Sequence, residues 1–185
     1  MALHFVSPPP EILSSYQESL TDFMGPHDPE VKLYHLPVGR LGLPELAKGA
    51  TLSDVVRSGC RFLAAWPSGR VTSCEITNPT LYAQGVFRNL VEGEDAVIAF
   101  ESIQKAQALD AVKAADFELH YLNIAGIQFE GLHLVRLGGG NDLILPVVSG
   151  TPQLDTDVLD AGAFFALARP VAAARLALPI SPLSS

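Results

Sequence analysis

Residues 117–148 read FELHYLNIAGIQFEGLHLVRLGGGNDLILPVV. Three runs rich in β-branched, aromatic and leucine residues, Phe117 to Ile124, Ile127 to Leu137 and Leu143 to Val148, are separated by Ala125-Gly126 and by Gly138-Gly139-Gly140-Asn141-Asp142. Such runs favour strands and such breaks favour turns, so the stretch predicts a three-stranded antiparallel meander. The glycine triplet is followed by a strand pattern, not by a helix whose N-terminal amides could hold an anion. It is therefore read as a hairpin turn and not as a phosphate loop.

Working outward, Cys60 to Trp66 and Arg70 to Thr77 flank Pro67-Ser68-Gly69 and predict a hairpin with Phe62 opposite Cys74 and Ala64 opposite Thr72. On that register Cys60 and Cys74 lie diagonally, about 7–8 Å apart, too far for an unstrained disulfide, and two free thiols are expected. Further strands are expected at 31–36, 81–91 and 96–101, with a loop over 37–50 carrying one helical turn at Pro44 to Lys48 and a short helix over 54–58 after the Thr51 cap. Ser7-Pro8 followed by Ile12, Leu13, Tyr16, Leu20, Phe23 and Met24 predicts an N-terminal amphipathic helix. A central helix is expected from Ser102 to Ala115, the alternative being one long helix from Glu94, and a C-terminal helix from about Asp157 to Arg169. The fold class is α+β: a single domain over 1–178, with a mainly antiparallel sheet of about six or seven strands flanked by these three helices. Residues 179–185 are expected to form a flexible tail.

The 185 residues are 48% hydrophobic and only 17% charged, with a mean hydropathy of +0.26. Soluble domains carry about 25% charge, so part of the apolar excess is expected to cover an interface. The most apolar window, 161–180, holds Arg169 and Pro170 at its centre, which argues against membrane insertion. No secretory leader pattern begins the chain, and a reducing cytoplasm is the expected compartment. A net charge of −8 argues against general nucleic-acid binding. Within it, residues 31–88 carry seven basic against three acidic side chains, and residues 89–160 carry twelve acidic against three basic. The two blocks are expected to complement one another, although Arg40, Arg57, Arg61, Arg70 and Arg88 leave room for a local anion site.

No nucleophile elbow or metal-ligand spacing occurs. A two-residue turn at Ala125-Gly126 would place Ile124 opposite Ile127, His120 opposite Gly131 and Glu118 opposite His133, so that Glu118, His120 and His133 share one sheet face. Two imidazoles and a carboxylate there suit acid–base work, or a transition metal held by His120 and His133, unless they sit as a solvated pair at the rim of a packed surface. Trp66, Tyr82, Phe87 and Arg88 have the composition of a binding surface and equally of core strands.

Two functions follow as expectations. The first is a non-catalytic protein acting through an interface, as a homo-oligomer or as an accessory factor or subunit of a larger assembly, with Tyr16, Leu20, Phe23, Phe164 and Phe165 as interface residues. The second is a small enzyme or a module for a small-molecule ligand or metal, using Glu118, His120 and His133.

Overall fold

A computed structural model describes residues 2–24, 30–77 and 86–178. In chain order the elements are β1 (Leu3–Phe5), α1 (Pro10–Met24), β2 (Lys32–Arg40), α2 (Leu43–Ala47), β3 (Val56–Ala65), β4 (Val71–Thr77), β5 (Val86–Glu92), α3 (Glu94–Ala108), α4 (Asp110–Ala114), β6 (Phe117–Ile124), β7 (Phe129–Arg136), β8 (Leu143–Ser149), β9 (Leu159–Asp160) and α5 (Ala161–Leu176). The class is α+β, and among the described residues nine strands form one sheet, eight of them in the order β5-β4-β3-β2-β6-β7-β8-β9. Two antiparallel meanders meet at a parallel seam, where Val38 to Arg40 of β2 lie beside Tyr121 to Asn123 of β6. β1 is also parallel to β6, with Leu3 to Phe5 beside Phe117 to Leu119. β1 thus occupies the stretch of β6 that β2 leaves unpaired.

The sheet is curled around α3. That helix packs on β3, β4 and β5 and also on β8. In a flat sheet β4 and β8 would stand five strand spacings, roughly 24 Å, apart, whereas a helix is only about 10 Å across. Ala96, Ala99, Ile103 and Ala106 form the buried stripe of α3, and the small alanines let strands close in from both sides. Leu36, Leu63, Leu119, Leu132 and Leu145, one from each of five strands, meet it on the concave face.

The convex face is covered twice. Over β3 and β4, α1 lays Ile12 and Tyr16 on Phe62, Cys74 and Ile76, with Tyr16 stacked on Phe62 at 4.2 Å between ring centroids. Over β6 to β8, α5 lays Phe164, Phe165 and Ala168 on Ile124, Phe129 and Ile144. The convex surface between the two helices carries one groove along the β2/β6 seam and another over β2 and β3 beside the start of α1.

Several expectations change. The run Ala96 to Glu101, read as a strand, is helical, and α3 starts at Glu94. A period of 3.6 in its alanines, together with Glu94 and Asp95 at the positive end of the helix, outweighs the β propensity of Val97, Ile98 and Phe100. The helix then breaks at Leu109 before α4. β2 continues through Pro37 and Gly39 to Arg40, where a loop was expected, and Val56 to Ser58 belong to β3, not to a helix. β1 and β9 add two short strands. Asp160, not Asp157, caps the C-terminal helix by accepting from the Ala163 amide at 3.0 Å, and the helix runs through Pro170 to Leu176.

The 60–77 hairpin has the expected register, and both cysteines are free and buried. Among the described residues no helix is long and apolar enough to cross a membrane. The expected tail, 179–185, lies outside them, as does Tyr82.

Candidate functional site

Four charged side chains from four strands point into the concave face at one end of α3. Arg40 and Arg61 come from β2 and β3, and Glu75 and Glu130 from β4 and β7. Three stand two residues from a core residue of the same strand, Val38 for Arg40, Leu63 for Arg61 and Leu132 for Glu130, and Glu75 stands directly opposite Arg61. Alternation therefore puts them inside the curl, above the apolar layer. Arg61 donates to Glu130 at 3.1 Å and lies 3.6 Å from Glu75, and Arg40 is bonded to Glu75. Tyr121 donates its hydroxyl to Glu130 at 2.5 Å, and Asn123 donates to the other oxygen at 3.2 Å.

The network is shielded at its centre and open at Arg40 and Glu130. The side chains of Glu75 and Arg61 are 8% and 16% exposed, and Glu130 is 33% exposed. Burial opposes the charge on Arg61, but Tyr121 and the two glutamates outweigh it and hold the guanidinium protonated. Burial pushes the Tyr121 phenol far up, Arg61 pulls against that and Glu130 adds to it, so the hydroxyl is a neutral donor. The network forms one wall of an open cavity of about 240 Å³, completed by Ser73, Asp95, Val91, Val147 and Val148. Among the described residues Asp95, in the first turn of α3, makes no ion pair. The lining thus presents three carboxylates and one guanidinium, with valines along the opposite side.

The residues expected as a site lie on the other face. β6 and β7 are joined by a 3-10 turn over Ala125–Ile127 with Gln128 left-handed at φ 53, a four-residue connection where two residues were expected. The longer turn buries Ile127 completely in the core beneath α5. It shifts the register by two, so His120 stands opposite His133 and Glu118 opposite Val135. A shift of two preserves the faces, and Glu118, His120 and His133 remain on one surface. All three line one cavity on that face together with Asp142, as two separate pairs. His120 Nε2 meets Glu118 at 2.5 Å, His133 Nε2 meets Asp142 at 2.8 Å, and the two rings sit edge to face with centroids 5.8 Å apart. Burial lowers His133, Asp142 pulls it back up, and His120 lowers it further. Near neutral pH its Nε2 is then the proton donor to Asp142. Among the described residues no three His, Cys, Asp or Glu side chains are placed to hold a metal ion.

Tyr16, Phe164 and Phe165, expected at an interface, are buried within the chain itself, and the side chains of Leu20, Phe23, Phe87 and Arg88 lie outside the described residues. Trp66 is half-buried against the core under α1, with Arg70 5.5 Å over its ring. Among the described residues, two of the seven basic side chains of residues 31–88 pair with the acidic block, Arg61 with Glu130 and Arg70 with Glu92, the latter at 2.6 Å.

Fold and cavity together define an α+β protein whose curled sheet holds a charged, hydrogen-bonded pocket at one end of its enclosed helix. The chain matches no family model, no curated protein and no solved structure.

Proposed function

We propose that the chain is a binding module for a small polar molecule carrying a positive group, taken into the concave cavity. The observation that supports it is the shielded Arg61–Glu75–Glu130 network exposed to that cavity. A partly buried ion network is no more stabilising than apolar side chains of the same volume, so stability does not account for charges on an inner wall that is otherwise mainly apolar. An open pocket with convergent polar groups is where a ligand is bound. With Arg40 and Arg61 set against Glu75 and Glu130, the one carboxylate in excess is Asp95, which selects a cation, and the valines accept its methylene chain.

Thermal denaturation with agmatine and putrescine, against succinate and glutarate, tests the reading. The amines raise the midpoint of the wild type, and raise it less in Ser73→Val, which replaces a hydroxyl on the cavity wall with methyls. Equal responses of the two proteins, or stabilisation by the dicarboxylates alone, count against it.

Action through an interface draws support from the low charge of the chain alone, because Tyr16, Phe164 and Phe165 are consumed by its own cores. Light scattering tests it, and a strict monomer counts against it.

A further inference from the structure

A bulge decides where Arg57 points. β2 and β3 pair with Val38 opposite Gly59 and Gly39 opposite Arg57, leaving Ser58 as an extra residue. In a regular strand Arg57 would share the concave face with Arg61, four residues on. The extra residue turns it onto the convex face, with Gly39, Pro37 and Cys60.

There it stands where two cavities meet, since Pro37 and Arg57 belong to the walls of both. One cavity, about 350 Å³, contains the two histidine–carboxylate pairs. The other, also about 350 Å³, lies under the start of α1 and is walled by Val6, Pro8, Pro9 and Ile12 on one side and Cys60 on the other. Its lining has two notable polar groups. His35 has its Nε2 buried without a hydrogen-bond partner, and Arg57 is exposed at the mouth. Arg40, Arg61 and Arg70 are each committed to a carboxylate, whereas Arg57 makes no ion pair among the described residues.

We propose that this second cavity binds a small apolar monocarboxylate, with its hydrocarbon part between Val6, Pro8, Ile12 and Cys60 and its carboxylate on the guanidinium of Arg57. A planar guanidinium matches a carboxylate in shape, and it is the sole fixed positive charge of the pocket. Burial lowers His35 and keeps its ring neutral, so the site offers one charge to a monoanion and not two to a phosphate dianion. Glu118 and Asp142 in the adjoining cavity repel a second acidic group, which confines the ligand to the apolar side.

Calorimetric titration with phenylacetate and hexanoate, beside the neutral 2-phenylethanol, tests this on the wild type and on Arg57→Gln. Arg57 is exposed, so the variant keeps its fold, which an unchanged unfolding midpoint verifies. Both acids bind the wild type and bind Arg57→Gln about tenfold more weakly, the loss of one charge-assisted contact, while 2-phenylethanol binds both proteins alike and weakly. Equal affinity of the acids for the two proteins overturns the proposal, as does no binding of either acid to the wild type. Neither result touches the concave cavity, whose amine ligands are read separately.

Discussion

The guanidinium carbon of Arg61 lies 3.9 Å from the centroid of the Tyr121 ring, and both side chains end on the carboxylate of Glu130. Stacking and hydrogen bonding thus hold one cation against two acceptors on the wall of the cavity. Tyr121→Phe keeps the stacking and removes one donor. Because Glu130 is a third exposed, the cost is at the low end for a bond to a charged group, about 1.5 kcal/mol in urea denaturation. An unchanged midpoint would show that the hydroxyl is equally satisfied by water.

Glu130→Gln removes the charge and the stronger acceptor together. It leaves Arg61 with Glu75 at 3.6 Å as its remaining anion, and the expected loss exceeds that of Tyr121→Phe. A smaller loss than for Tyr121→Phe would mean that Glu75 alone balances Arg61.

Stability falls as the solution is acidified below the ordinary histidine value of 6.5. His35 and His133 are both lowered in the folded chain, in each case chiefly by burial. Between the unfolded and folded values the unfolded chain holds more protons, so stability is intact above 6.5 and declines as pH drops toward the folded values. Unfolding midpoints measured from pH 7.5 to 5 decline more steeply for the wild type than for His133→Gln. Parallel curves would remove His133 as a source of the slope.

Cys60 and Cys74 are pushed up by burial to about 11 and about 12, respectively. Neither is a thiolate at pH 8, and thiolates are the reactive form. A disulfide reagent added to the native protein at pH 8 labels them slowly, and the same reagent in guanidinium chloride labels both at once. Rapid native labelling at Cys74 would contradict the packing under Tyr16.

Gly131 lies where β7 passes β8. A Cβ there would stand 2.7 Å from the Phe129 ring and 3.0 Å from the Leu145 carbonyl, and Phe129 is locked against Phe164 at 4.7 Å. Gly131→Ala is expected to cost about 1–3 kcal/mol by overpacking, read from denaturation midpoints. A wild-type midpoint would show that the ring moves freely.

The parts of the fold set by local chemistry are legible in the sequence itself. Proline and glycine bound the 60–77 hairpin, and Phe62 faces Cys74 as spacing requires. Gly138, Gly139 and Gly140 take φ of 85, 91 and 113 in the turn between β7 and β8. What depends on distant residues was not legible. Ala96 to Phe100 is an unbroken apolar run that suits a buried strand as well as a helix, and only the sheet that encloses it makes the alanine stripe decisive. The His120–His133 pairing hinges on whether Ile127 belongs to a turn or a strand, and the core under α5 settles that. Glu118, His120 and His133 do share a face, as spacing implied, but Asp142 joins them from the next turn. The concave network was missed because Arg61, Glu75 and Glu130 come from three separate strands. Their one local sign was a charge at the inward position of an alternating run.

The central claim is that the concave cavity takes a small cation. Backbone amide spectra recorded during titration with agmatine test it most directly. Saturable shifts are expected at Ser73, Asp95, Glu130 and Val148, weaker in Ser73→Val. Shifts confined to the convex face around Arg57 and His133, or none anywhere, would contradict it.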